Sequence, residues 1–254
     1  MLRSVYAAIW NFLYRMASPR HFYWLSSRLI PWLAAATALT LGYGLYGGLF
    51  VAPPDYQQGE SYRIIFVHVP SAWMSLFTYV FMATCAAIHL IWRMKLADVM
   101  AMQAAPLGAW FTFLALATGS LWGKPMWGTW WVWDARLTSE LILLFLYLGI
   151  IALRSAIEDQ RTAGRACAVL AIVGVVNVPI IHYSVEWWAS LHQGPTITKF
   201  DKPSMHSSML APLLISALGF QFYFFTTLLM RARNEVLERE RDSTWVNDDL
   251  RGLN

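Results

Sequence analysis

The sequence contains little charge for its length. Only 13% of its 254 residues are charged, whereas 57% are hydrophobic, and the mean hydropathy is +0.44. A soluble domain carries roughly 25% charged residues, so this chain has too little polar surface to cover a water-soluble globule. The formal net charge of +4 is small and gives no basis for nucleic-acid binding. The composition predicts a membrane protein.

Cysteine is also scarce. Cys85 and Cys167 lie in apolar stretches, and neither belongs to a CxxC or CxxCH pattern. We therefore expect neither a disulfide framework nor a cofactor attached through cysteine. No residues are spaced like an acid–base or nucleophilic catalytic set. The sequence does not indicate a conventional enzyme.

The few charges leave long uncharged runs. A bilayer core about 30 Å thick is crossed by roughly 20 apolar residues in a helix, and long runs without strict alternation favour helices over a barrel. We predict an all-α polytopic membrane protein that forms one domain over residues 1–254, with a polar tail at 231–254. Its six transmembrane helices are predicted at 30–51, 69–92, 100–121, 137–154, 166–186 and 207–230.

The distribution of Lys and Arg predicts the orientation, because cytoplasmic loops are enriched in these residues. If the N-terminus is inside, only five of the 19 lie outside: Arg63, Lys124, Arg136, Lys199 and Lys202. Both termini are therefore predicted to be cytoplasmic, and residues 52–68, 122–136 and 187–206 to face outward. The N-terminal pattern YAAIWNFLYRMA is predicted to lie along the inner membrane surface as an amphipathic helix.

Residues 122–136, which we term the tryptophan-rich segment, contain far more tryptophan than a membrane anchor needs. The five are Trp122, Trp127, Trp130, Trp131 and Trp133. Tryptophan is common at membrane interfaces, but that preference does not explain so many in one short loop. We expect Pro125 to end the third helix and the loop to form a compact aromatic surface. Such a surface is typical of a binding site for a large flat apolar ligand or for lipid.

Fixed charges accompany these rings. Asp134 and Arg136 lie at the start of the fourth predicted helix, and Lys124 begins the loop, where it is as well suited to anchoring the chain. A guanidinium pairs with a carboxylate through two parallel hydrogen bonds. A planar apolar ligand with carboxylate tails, such as haem with its propionates, fits both the rings and the charges.

Each flanking outer loop contains a histidine. His68 lies in YRIIFVHVPSAW, five residues after Arg63, and Pro70 suits the first turn of the second helix. His192 lies in HYSVEWWASLHQGP, where we expect the helix to continue to Gly194. That helix would place Trp188 and His192 on one face.

Haem iron commonly takes histidine as an axial ligand. His68 and His192 are the leading pair. His182 is the main alternative for the second ligand, although it could instead pair with Glu186, four residues later. His206 is a weaker alternative, because no aromatic cluster lies beside it in the sequence.

Several of these stretches resemble a known family. WGTWWVWD looks like the WWD domain of haem-handling proteins in cytochrome c maturation. The segments GKPMWGTWWVWDARLTSELILLFLY, YRIIFVHVPSAW, GVVNVPIIHYSVEWW and LHQGPT resemble the haem exporter protein C family, CcmC, over about residues 25–230. The related CcmF and CcsA types have more helices, and this chain is too short for CcmF.

The resemblance implies a six-helix protein of the bacterial inner membrane that binds haem b at its periplasmic face. His68 and His192 match the family's iron ligands, and the tryptophan-rich segment matches the platform between them. It further implies that the protein presents haem to the chaperone CcmE, whose own histidine becomes covalently attached to a vinyl group. Association with the transporter subunits CcmA and CcmB, and with the small membrane protein CcmD, is also implied.

Together these considerations predict residue roles. Four tryptophans lie along the porphyrin face or edge: Trp127, Trp130, Trp131 and Trp133. Trp122 and Trp188 are further predicted haem-binding residues. Arg63 and Arg136 contact the propionates, and Asp134 orients Arg136 or contacts the chaperone.

Two other functions are disfavoured. A b-type electron-transfer cytochrome needs histidines deep in facing helices, but His89 and His182 lie toward opposite ends of theirs. A permease for a small solute needs a charge or a broken helix at the bilayer midplane, whereas Glu140 lies near the outer end of its helix.

Overall fold

The computed structural model describes residues 18–188, 190–192 and 205–250. This part of the chain is helical apart from turns, loops and one isolated bridge between Asp55 and Gly59. The helices are α1 Pro19–Tyr46, α2 Ile65–Trp92, α3 Lys95–Trp127, α4 Ala135–Ala156, α5 Gln160–Gly174, α6 Asn177–Trp187, α7 Ser207–Arg239 and α8 Thr244–Leu250. A π-helical turn, Gly47–Val51, extends α1, and a 3₁₀ turn, Glu60–Ile64, leads into α2.

Within the described ranges, six helical spans are long and apolar enough to cross a membrane, which confirms the predicted fold class. The fifth span is interrupted, since a turn at Val175 and Val176 separates α5 from α6. The first helix starts well before residue 30, because Pro19 suits a helix N-terminus. The segment YAAIWNFLYRMA lies outside the described residues. The N-terminus of α1 and the C-terminus of α7 lie at one end of the bundle, which we call the terminal end. We call the opposite end the loop end.

The third helix does not stop at Pro125, so that prediction was wrong. A proline deprives only the carbonyl four residues earlier of its partner, which is a small loss near a helix C-terminus. α3 instead ends at Gly128, whose φ of 77° lies in the left-handed region and whose N–H donates to the Lys124 carbonyl at 3.1 Å. The tryptophan-rich segment is therefore divided between the last turns of a helix and a loop.

The prediction that the helix bearing His182 continues to Gly194 was also wrong. α6 ends at Trp187, and Trp188 has extended backbone with φ −134° and ψ 156°. Residues 190–192 are not helical either. Trp188 and His192 therefore do not share a helix face.

Close packing in the core fixes the positions of four helices relative to one another: α2, α3, α4 and α5. The rings of Tyr79 on α2 and Tyr147 on α4 meet edge to face, with centroids 5.0 Å apart. Tyr147 donates its hydroxyl proton to the Ser75 carbonyl at 2.8 Å. Gly108 on α3 and Gly174 on α5 lie so close to these tyrosines that a Cβ at either would come within 2.1 Å of a ring or hydroxyl atom. The packing leaves little freedom for these four helices.

A cluster of charged side chains lies at the terminal end. Asp98, 5% exposed at the start of α3, accepts hydrogen bonds from Arg154 Nη2 at 3.3 Å and from Arg239 Nη1 at 3.0 Å. Arg154 also donates to the Gln160 carbonyl at 3.3 Å, and Arg239 Nε to Glu235 at 2.7 Å. We call this group the Asp98 cluster. It joins the ends of α3, α4 and α7.

Candidate functional site

His68 lies in the first turn of α2 at the loop end and is only 9% exposed. Its Nδ1 lies 3.0 Å from the Ala115 carbonyl and 3.0 Å from Thr118 Oγ1, both on α3. A carbonyl only accepts, so Nδ1 carries the proton and Nε2 keeps its lone pair. Gly119 makes room for the ring, since a Cβ there would lie 3.1 Å from His68 Cε1. Pro70 follows in the second turn of α2 rather than in the first.

His192 reaches the same place from the segment between α6 and α7, which we call the third loop. Its ring centroid lies 6.3 Å from that of His68, with 34° between the ring planes. Trp127 lies on another side, 6.3 Å from the His192 ring, and the edge of Trp122 meets His68 at 5.7 Å. The fold thus brings together two histidines that are far apart in sequence, beside the two helical tryptophans of the tryptophan-rich segment.

A short hydrogen-bonded chain links the third loop to α4. Asp134 is the N-cap residue of α4, and its Oδ1 accepts from the Leu137 N–H at 2.8 Å. Its Oδ2 accepts a hydrogen bond from Ser190 Oγ, which in turn accepts from the His192 N–H at 3.1 Å. Ser190 was not among the residues predicted from the sequence. The available signal was a serine two residues before the histidine, a spacing at which a hydroxyl binds nearby backbone.

The remaining tryptophans differ in exposure. Trp130 and Trp133 are 54% and 75% exposed, and Trp131 packs against Trp133 at 5.4 Å. The Trp131 Nε1 atom is buried and has no acceptor within the part of the chain that the structure describes. Trp122 Nε1 donates to Gln58 Oε1 at 3.0 Å, which connects α3 to the segment between α1 and α2.

Trp188 is half exposed and contacts Trp187, with ring centroids 5.7 Å apart. Lys124 Nζ donates to the Gly128 carbonyl at 3.0 Å and lies 5.9 Å from the Trp130 ring centroid.

The two arginines predicted to bind propionates have different surroundings. Arg63 forms an ion pair with Glu60 and donates to the Gly48 carbonyl at 2.9 Å, so its guanidinium is already bound. Arg136 is half-buried, and its guanidinium makes no hydrogen bond or ion pair to any residue in the described ranges, although the charges of Glu140 and Asp134 act on it. Glu140, one turn further along α4, accepts from Ser75 Oγ at 2.7 Å. No hydrogen bond joins Asp134 to Arg136 among these residues, so the geometry gives Asp134 a different partner, Ser190.

The other histidines have local contacts of their own. His182 is exposed and meets the Tyr183 ring at 4.7 Å, and no hydrogen bond joins it to Glu186 among the described residues. His206 caps α7, with its Nδ1 2.8 Å from Ser208 Oγ. His89 lies at the terminal end, where its Nδ1 is 3.2 Å from the Met94 carbonyl. The structure therefore pairs His68 with His192 and not with the alternatives.

Comparison with known proteins places these features in a family. The family model described as Heme exporter protein C, CcmC, matches residues 12–247. Heme exporter protein C of Escherichia coli (strain K12) is 52% identical over 240 residues, covering 94% of this chain and 97% of the relative. The Haemophilus influenzae protein of the same name is 49% identical over 238 residues, with the same two coverages.

A plant relative extends the comparison. A putative cytochrome c biosynthesis ccmC-like mitochondrial protein of Marchantia polymorpha is 45% identical over 193 residues, covering 76% of this chain and 82% of the relative. The range matched by the family model, residues 12–247, contains both His68 and His192. The chain belongs to the haem exporter protein C family, CcmC.

Proposed function

We propose that this protein binds haem b at the loop end of the bundle, with His68 and His192 as the axial ligands, and acts in haem export for cytochrome c maturation. Its family supports the role in haem export. The observation that carries the site is the approach of the two imidazole rings to 6.3 Å between Trp122 and Trp127.

The separation of the rings suits a shared iron. Two imidazoles bound on opposite sides of one metal, with metal–nitrogen bonds of about 2.0 Å, have ring centroids about 6 Å apart. In the described part of the chain, no group of three or more His, Cys, Asp or Glu side chains could hold a bare ion. A metal that already sits in a planar macrocycle needs only two protein ligands, which is the number available here.

The other donors suit a ligand with carboxylate tails. The Arg136 guanidinium and the Trp131 Nε1–H have no acceptor among the described residues. Both lie in the tryptophan-rich segment or at its end. They are the groups that would hold propionates, whereas Arg63 would first have to give up Glu60 and the Gly48 carbonyl.

The protein's own residues supply position and exclusion of water. Haem brings the iron and the reactive vinyl groups. Ala115 and Thr118 fix the His68 ring, and Trp122 and Trp127 shield the two imidazoles from water. The exposed rings of Trp130 and Trp133 leave an apolar surface beside the site on which a partner can dock.

We further propose the cellular setting of this site. The excess of Lys and Arg at the terminal end supports cytoplasmic termini and a periplasmic site in the bacterial inner membrane. The partner at the exposed tryptophans is the haem chaperone CcmE, which receives the haem for covalent attachment. CcmA, CcmB and CcmD are the proposed membrane assembly.

The test is the absorption spectrum of the purified protein with haem. We expect a six-coordinate, low-spin bis-histidine spectrum from the wild type and from a His206→Ala control, because the hydrogen bonds of His206 to described residues are confined to Ser208 and the start of α7. His68→Ala and His192→Ala should each lose this spectrum and much of the haem. If both variants keep full haem and the bis-histidine spectrum, the ligand assignment is wrong.

A further inference from the structure

His192 lies where regular secondary structure no longer holds the backbone. α6 ends at Trp187, and residues 190–192 follow it outside any helix. His68, by contrast, lies within a helix and is bonded to Ala115 and Thr118 on its neighbour. A ligand pair works only when both members are held in place, so the third loop needs its own support.

Asp134 is a rigid starting point for that support. It caps α4, and the bond from the Leu137 N–H to its Oδ1, 2.8 Å long, fixes the carboxylate relative to the helix. Its second oxygen is then directed toward the third loop, where it accepts from Ser190 Oγ. The carboxylate thus joins two parts of the chain that are 56 residues apart.

Ser190 connects this carboxylate to the histidine. A hydroxyl has one proton to donate and lone pairs with which to accept. Ser190 Oγ donates a hydrogen bond to Asp134 Oδ2 and accepts a hydrogen bond from the His192 N–H at 3.1 Å. Because the acceptor of its proton is a carboxylate, the bond is of the stronger, charge-assisted kind.

We infer that Ser190, held by Asp134, is the positioning residue for His192, and that it keeps this histidine opposite His68. This inference rests on the proposed function, since it treats His192 as an iron ligand. It also gives Asp134 a role other than orienting Arg136. Neither residue touches the iron; both act through the backbone of His192.

The experiment compares Ser190→Ala with the conservative variant Ser190→Thr, which keeps the hydroxyl. Ser208→Ala is the matched control, because this serine also lies at the loop end but contacts His206 instead. The first measurement is hydrogen–deuterium exchange of the His192 amide in haem-free protein. We expect exchange about tenfold faster in Ser190→Ala, the effect of removing a charge-assisted bond and the one that depends on it. Ser190→Thr and Ser208→Ala should exchange like the wild type.

The second measurement is the haem spectrum of the same proteins. Ser190→Ala should shift about tenfold from the six-coordinate toward a five-coordinate, high-spin form, with Ser190→Thr restoring the original spectrum. Free imidazole should return Ser190→Ala to the six-coordinate form, since His68 is untouched. A residue with a merely structural role would change the thermal midpoint without this pattern.

A double-mutant cycle tests the link to Asp134. Asp134→Ala should accelerate exchange at least as much as Ser190→Ala, and the double variant should add little, because both changes break one chain of bonds. Full additivity would contradict the inference. The inference would also be contradicted if Ser190→Ala kept wild-type amide exchange and a wild-type haem spectrum while His192→Ala lost the bis-histidine spectrum. If His192→Ala itself keeps that form, the proposed function fails, and the exchange result in haem-free protein still decides whether Ser190 holds the loop.

Discussion

The two ends of the bundle both contain buried polar side chains, but they use them differently. In the Asp98 cluster at the terminal end, Arg154 and Arg239 share one carboxylate, and each has a further acceptor. At the loop end, His68 is bonded through its ring Nδ1, and among the described residues neither its Nε2 nor the Arg136 guanidinium has a hydrogen-bond partner. A satisfied cluster stabilises a fold, whereas the donors without acceptors at the loop end are the groups available to the ligand proposed above.

The largest effect should come from breaking the Asp98 cluster. Asp98→Ala removes the shared carboxylate and leaves two partly buried arginines poorly paired, so we expect the free energy of unfolding to fall by about 3 kcal/mol. The measurement is thermal or denaturant unfolding in detergent. Glu238→Ala is the control, because its pair with Arg241 is exposed and worth less than about 1 kcal/mol. An equal fall in the free energy of unfolding in the two variants would show that the Asp98 cluster does not stabilise the fold more than an exposed ion pair does.

The second effect concerns the space around His68. Gly119→Val should displace the imidazole, because even a Cβ would come within 3.1 Å of its Cε1. Overpacking of this kind costs about 1–3 kcal/mol, which corresponds to a roughly 5-fold to 150-fold loss of haem binding. Haem content per protein is the measurement. Gly42→Val is the control, since a Cβ there meets nothing within 4 Å. Normal haem content in Gly119→Val would mean that the His68 position is not critical.

The third effect separates the two arginines. Arg136→Gln should speed the transfer of haem to a competing acceptor about tenfold, because a charged donor to a propionate is lost. Arg63→Gln should change this rate little and lower stability instead, since Arg63 holds Glu60 and the Gly48 carbonyl. The opposite result would exchange the roles assigned to these arginines.

The smallest effect should follow a change at Lys124. Its ammonium is exposed and contacts only the Gly128 carbonyl and the face of Trp130 among the described residues. Lys124→Gln should alter the free energy of unfolding by less than about 1 kcal/mol and leave the haem spectrum unchanged. A marked loss of haem in this variant would place a ligand carboxylate near Lys124 and so extend the site beyond the two histidines.

The six membrane spans could be predicted because they depend on local sequence, and local sequence also led to the prediction of a binding site, which stays a prediction. Long uncharged runs indicate helices in a membrane wherever they occur, and five tryptophans beside Asp134 and Arg136 indicate a ligand without any knowledge of packing. The structure then brings His68 and His192 to one place, as their positions in flanking loops suggested.

The contacts that hold the site could not be read in this way. α3 continues through Pro125, whose cost near a helix C-terminus is small, and ends at Gly128, whereas α6 ends at Trp187 where Trp188 has extended backbone. Asp98 finds Arg154 and Arg239 at sequence separations of 56 and 141 residues. No local pattern encodes pairings at such distances, because they depend on the packing of the whole bundle.

The bond between His68 and the Ala115 carbonyl has an electronic consequence. A backbone carbonyl that accepts a hydrogen bond from the Nδ1–H group raises the electron density of the ring. Nε2 then becomes a stronger electron donor to a metal. Under the proposed ligation, this donation would favour ferric over ferrous iron and lower the reduction potential of the haem. A single helix carbonyl would then help set the oxidation state in which the haem is held.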